Sequence, residues 1–236
     1  MRRCSMRIFD SICWYIIFLF SVTLHEAAHA WAAKKGGDLT AYWEGQVSLS
    51  PLPHIRREPF GMVVLPIISS LVFGWPFGYA SAPYDPYWAD RHPRRAAWMG
   101  LAGPAANLGL VLLCVVIIRL GLAFDIFLEP NAVSLKYVVD TDYGVPWSGL
   151  VFAVSMVFSL NLILTVLNLI PFPPLDGSSI LSLLLSEDHA RKYQSIIRNP
   201  LLGIVGFFLV WKLFNPLFNV IFLMVVNLVY PGMNYQ

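Results

Sequence analysis

The sequence predicts an all-α polytopic membrane protein with about four full transmembrane helices, one broken or re-entrant segment and a small membrane-edge β-hairpin. Three observations lead there. Of the 236 residues, 57% are hydrophobic and 13% charged, and mean hydropathy is +0.64. Four apolar stretches, residues 12–33, 97–123, 147–170 and 201–230, each reach the roughly 20 residues that cross a hydrocarbon layer about 30 Å thick. A fifth, residues 60–79, is interrupted by Gly61, Pro66, Gly74, Pro76 and Gly78, so a broken or re-entrant segment competes with a clean helix.

The first stretch raises a question of processing. Arg2, Arg3 and Arg7 precede an apolar run, and Ala28-His29-Ala30 resembles a cleavage site, the layout of a secretory signal peptide. The helical pattern continues through Ala32 and Ala33, and a partner for its histidines stands far downstream, so the stretch reads as a retained span. Residues 39–50, LTAYWEGQVSLS, hold two short β-prone runs around Glu44-Gly45 and predict the hairpin. The loop 124–146 carries Asp125, Glu129, Asp140 and Asp142 against Lys136 and belongs in water. In the last stretch Asn215-Pro216 predicts a kink, with a role in packing or gating.

The chain is expected to form one membrane-embedded domain, 1–236, with its motifs within 12–186 and a loop and carboxy-terminal span in 187–236. A net charge of +2 with scattered basic residues gives no reason to expect a nucleic-acid partner. Cys4, Cys13 and Cys114 show no CxxC spacing and are odd in number, so neither a disulfide framework nor a cysteine metal site is expected.

The chemistry starts at His25-Glu26-Ala27-Ala28-His29. Positions i and i+4 share one helix face, so both imidazoles can reach one metal ion. Glu26 stands beside that face, where a carboxylate can act as general base on metal-activated water. Surface or satisfied interior polar groups are the plain alternative. Inside a span that alternative weakens, because an ionisable side chain there costs about 2.5–3.5 kcal/mol on insertion scales and marks function.

A catalytic zinc usually has three protein ligands and an open position. The candidate third ligand is Asp176 in LNLIPFPPLDG, residues 167–177, where prolines stop the span and an acid can face a cavity. An N-cap for the short helix that follows is the competing role, and both can hold together. For Gly103, Pro104 and Asn107 a structural role is expected, close helix approach and an interhelical hydrogen bond. His54 reads as a loop histidine, not a ligand.

HEAAH at 25–29, GPAAN at 103–107 and NLIPFPPLDG at 168–177 together resemble the site-2 protease family of intramembrane zinc metalloproteases, in compact form. The resemblance implies one Zn2+ held by His25, His29 and Asp176, with Glu26 as general base. It also implies that Asn168 binds substrate or stabilises an oxyanion, and that the substrate is a transmembrane protein cleaved within or near its span. Leu49-Ser50-Pro51, His54-Ile55-Arg56-Arg57-Glu58-Pro59 and Tyr79-Ala80-Ser81-Ala82-Pro83 depart from the family's usual Leu-Asn-Pro, His-Ile-Asp-Pro and Trp-Ala-Lys-Pro. No PDZ or CBS domain is expected in the remaining residues.

The other class of function is a non-proteolytic membrane scaffold or a metal-handling transporter. Glu26 favours hydrolysis, since a transporter needs ligands but no base. The positive-inside rule places Lys34, Lys35, Arg56, Arg57, Arg91, Arg94 and Arg95 in the cytoplasm and the acidic loop outside, with Arg2, Arg3 and Arg7 dissenting. The protein is expected to be multi-pass in the cell membrane, with the bilayer as its surroundings.

Overall fold

The computed structural model describes residues 2–236, with side chains from residue 9 onward; the side chains of Arg2, Arg3, Cys4 and Arg7 lie outside what is described. Among the described residues, four helices are long and apolar enough to cross a membrane: α1 (Arg2–Gly36, apolar from Phe9), and, past the short elements named below, α6 (Pro93–Ala123), α7 (Trp147–Leu169) and α10 (Pro200–Val229). The chain is thus an integral, multi-pass membrane protein.

Local chemistry sets where helices begin. α3 (Pro51–Arg57), α5 (Pro86–Arg91) and α10 each start with proline at the first position behind a capping side chain. Ser50, Asp85 and Asn199 accept the backbone N–H of Leu52, Tyr87 and Leu201 in turn, satisfying donors that the first turn leaves orphaned.

The predicted hairpin at residues 39–50 is absent. Among the described residues there is no strand, only isolated bridges such as Leu128 with Asp140. The Asp38 carboxylate takes both the N–H and the hydroxyl of Thr40 and starts a one-turn helix, α2 (Thr40–Trp43). Backbone donors of Trp43, Glu44, Gly45 and Gln46 then bond to carbonyls three to five residues back, and Gly45 turns the chain at φ +75°. The β-prone side chains find no second strand, so local bonds win. No sheet edge is available here for a substrate.

The interrupted stretch forms a π-helical turn (Phe60–Val64) running into α4 (Leu65–Phe73), which ends at a left-handed Gly74. At 1.5 Å per residue these two elements span about 21 Å, short of the ~30 Å hydrocarbon layer. The N–H of Tyr79 donates to the carbonyl of Gly61 at 3.1 Å, so the chain returns to where it left. No Cβ fits at Gly61, where Tyr79 packs on the backbone.

α1 and α6 run antiparallel in close contact, and α6 pairs with α7 in the same way. The apolar core lies among α6, α7, α10 and the 124–146 loop, around Ile118, Phe158 and Val226. A second cluster joins Trp14, Phe18 and Val22 of α1 to Met62, Met156 and Leu160. The acidic loop closes the far end: Lys136 pairs with Asp10 at 2.5 Å, the Tyr230 hydroxyl donates to the Val138 carbonyl at 2.7 Å, and Arg119 caps the end of α10 through the Val229 carbonyl. α5, α8 (Gly177–Ile180, continued by a 3-10 turn over Leu181–Leu184) and α9 (Glu187–Ile197) gather at the opposite, basic end.

Candidate metal centre

α1 carries His25, Glu26 and His29 as buried residues, 6%, 5% and 6% exposed. His25 lies about 16 Å from the helix end at Gly36 by helical rise. α1 continues three residues beyond the predicted end, which sets the site that much farther from the end of the helix. The turn after α7 brings Asp176 to the same place. Gly177 makes this possible, since its Cα sits against the carbonyls of Leu169 and Ile170 where a Cβ would collide. Asp176 stands at the start of α8 without capping it; its carboxylate turns to the histidines instead, which separates the two roles left open by the sequence.

His25 Nε2 and His29 Nε2 are 2.9 Å apart, and Asp176 Oδ2 lies 3.1 Å from the first and 3.2 Å from the second. These are the three residues that the described chain brings together as a metal-ligating group. Burial opposes ionisation of Asp176, but the neighbouring His29 and His25 rings outweigh it and hold the carboxyl well below the usual carboxylate range.

The hydrogen-bond network assigns the histidine tautomers and so tests the fit of a metal. His29 Nδ1 lies 2.7 Å from the Met99 carbonyl, which only accepts, so Nδ1 carries a proton and in the neutral ring Nε2 keeps its lone pair. For His25 the assignment starts two helices away. Asn161 Nδ2 donates to the Val157 carbonyl at 2.8 Å and to Ser21 Oγ at 3.0 Å. That turns Asn161 Oδ1 toward Asn107 Nδ2, 2.8 Å away, and leaves Asn107 Oδ1 to accept from His25 Nδ1 at 2.5 Å. In its neutral form the His25 ring therefore also carries its lone pair on Nε2.

In the neutral tautomers both Nε2 lone pairs and a carboxylate oxygen of Asp176 converge on one point, so a metal ion binding there would take the place of any proton the three atoms share. A tetrahedral zinc with bonds of about 2.0–2.1 Å has ligand–ligand edges of about 3.3 Å, close to the spacing here. Gly103 provides the room: a Cβ there would strike Nε2 of both His25 and His29. The GPAAN segment was expected to serve close helix approach and an interhelical hydrogen bond through Asn107, and Asn107 does bond across to α1 and α7. Its glycine leaves space for the ligands, and its asparagine orients one of them.

Glu26 lines a cavity of about 340 Å³ together with His29 and Asp176. The cavity is bordered by Ser81, Tyr84, Pro173 and Arg198, so it opens toward the basic end of the bundle. Asn168 sits half-buried in the last turn of α7 and is outside the residues lining this cavity. His54 is a buried residue of α3 rather than a loop residue, bonded to the Ser48 carbonyl and apart from the centre. Ser21 and Asn161, fully buried behind His25, were missed by motif reading; an asparagine in the middle of the apolar 147–170 stretch was the available signal.

Asn107→Ala removes the acceptor that holds the His25 ring. Zinc affinity is expected to fall about 10–100-fold, measured by competition with a chromophoric chelator at unchanged helicity. Unchanged affinity would show that His25 is oriented by packing alone.

A multi-pass helical bundle with a buried His, His, carboxylate centre on an H-E-x-x-H helix defines a membrane-embedded metalloprotein of the zinc-peptidase type. The particular family follows from sequence comparison: the profile of Peptidase family M50 matches residues 68–212, and the chain belongs to that family. The matched stretch includes GPAAN and NLIPFPPLDG, while the two histidines precede it. Among relatives, the chain is 29% identical over 166 residues to a Bacillus subtilis protein named as a zinc metalloprotease, YwhC, covering 70% of this chain and 66% of that one. It is 30% identical over 174 residues to the Rip2 proteins, also named as zinc metalloproteases, of Mycolicibacterium smegmatis and Mycobacterium tuberculosis. Those alignments cover 74% of this chain and 58% and 56% of the relatives, so the chain spans under two thirds of the curated relatives' length. No solved structure matches the chain. The His25, His29 and Asp176 triad matches a single Zn2+ site.

Proposed function

We propose that the chain is a zinc-dependent intramembrane endopeptidase that hydrolyses peptide bonds in or near the transmembrane segments of membrane-protein substrates. The observation that carries this is Glu26. Its buried carboxylate makes no hydrogen bond or ion pair among the described residues and lines the same cavity as His29 and Asp176. A ligand-only site has no use for a free base in that position.

Zinc held by His25, His29 and Asp176 would polarise a carbonyl and lower the pKa of water to about 7. Glu26 accepts a proton from the attacking water as its oxygen bonds to the scissile carbonyl carbon. It returns that proton to the amide nitrogen as the C–N bond breaks, leaving a carboxylic acid and an amine. Asn168, at the end of α7, is proposed to bind substrate backbone or donate to the developing oxyanion. Because a membrane helix hides its peptide bonds in its own hydrogen bonds, the substrate must unwind locally before it enters the cavity.

The test uses the purified chain in proteoliposomes with a panel of fluorescently labelled single-span peptides. Cleavage is expected, lost after a zinc chelator and restored by added Zn2+. Cleavage that persists in metal-free protein would refute the zinc mechanism, and no cleavage of any peptide by zinc-loaded protein would refute the protease.

A further inference from the structure

We infer that the groove between the basic ends of α1 and α6 is a binding site for an anionic phospholipid. It shares no lining residue with the metal cavity. Its volume is about 570 Å³, and its walls include Lys35, Arg95, Trp31, Trp98, Ala102 and Ala105.

The groove has two chemistries in the right order. Lys35 and Arg95 stand at the mouth, and no acidic side chain lines it. Arg95 donates one N–H to the Gly36 carbonyl at 3.0 Å, which pins the guanidinium across the end of α1 and leaves its remaining donors for a phosphate. The Lys35 ammonium stays near the Trp31 ring, 5.9 Å from its centroid.

Below the mouth the walls become apolar. Trp31 and Trp98 are 55% and 60% exposed, and their large indoles line the groove below the two cations. Ala105 lies about 15 Å along α6 from Arg95 by helical rise, and the small side chains of Ala102 and Ala105 leave a channel facing the hydrocarbon. A cationic mouth above an apolar channel matches a phosphodiester above an acyl chain. A zwitterionic headgroup would bring a second cation against Lys35 and Arg95, so the anionic lipid is favoured. The lipid would tie α1 to α6, the two helices that carry the histidines, Gly103 and Asn107.

The test is native mass spectrometry of the full chain in neutral detergent, mixed with phosphatidylglycerol or phosphatidylcholine of the same acyl chains. Phosphatidylglycerol should be retained preferentially. Lys35→Gln and Arg95→Gln should each lower its retention about five-fold, and Ala105→Phe, which fills the channel without changing charge, should lower it as well. Arg91→Gln, exposed at the same end but outside the groove, should leave retention unchanged, and glycerol phosphate should not displace the lipid. Arg95→Lys keeps the charge and should retain most binding. The site is overturned by equal retention of the two lipids, by variants that bind like the parent, by displacement with glycerol phosphate, or by equal losses in Arg95→Lys and Arg95→Gln, which would report damaged helix packing instead.

Discussion

Glu26→Gln is expected to lower peptide cleavage by about 10²–10⁴-fold, the range that a positioned general base supplies, while zinc content stays near one ion per chain. The amide keeps the size of the side chain and removes its capacity to take a proton. Glu26 stands outside the three atoms that converge at 2.9–3.2 Å, so ion binding has no reason to weaken. Zinc by metal analysis and cleavage in proteoliposomes, measured on one preparation, decide the matter. Loss of both together would place Glu26 among the ligands, and retention of both would remove the base from the mechanism.

The second large effect is expected from the ligands. His25→Ala, His29→Ala and Asp176→Asn should each bring zinc well below one ion per chain and cleavage to background, because two protein ligands do not complete a catalytic zinc site. Asp176→Asn is the most informative of the three. Asparagine caps a helix as well as aspartate does, so a residue acting only as a cap would tolerate the change. The carboxylate instead leaves α8 uncapped and lies against both imidazoles. Full zinc content in correctly folded Asp176→Asn would return Asp176 to a structural role.

Much of this centre was legible along the chain. The i, i+4 spacing of His25 and His29 puts them on one face of any α-helix, and a proline-rich break places an acid beyond a span end, whatever the tertiary contacts. The hairpin misreading has a physical origin. β-propensity describes a fit to a pleated surface beside another strand, and residues 39–50 have no such neighbour; the Asp38 carboxylate and Gly45 close local turns instead. Asn107 was legible as a polar group between helices, but its target was not. That His25 Nδ1 is the group it holds depends on the antiparallel register of α1 against α6, and on Asn161 reaching across from α7.

Composition and hydropathic run length by themselves determined a helical membrane protein of four spans, because burying an unpaired backbone in hydrocarbon leaves little alternative to helices. The ordered motifs pointed to the residues proposed to supply the chemistry, because a metal and a base require particular side chains at particular spacing. Only the tertiary structure decided that Asp176 binds beside the histidines rather than capping α8, and that Gly103 leaves space for their rings. It alone decided which nitrogen of each ring faces Asp176 and which faces its positioning partner. Those properties depend on distances between residues far apart in the chain, and such distances are set by how α1, α6 and α7 pack, not by any local pattern.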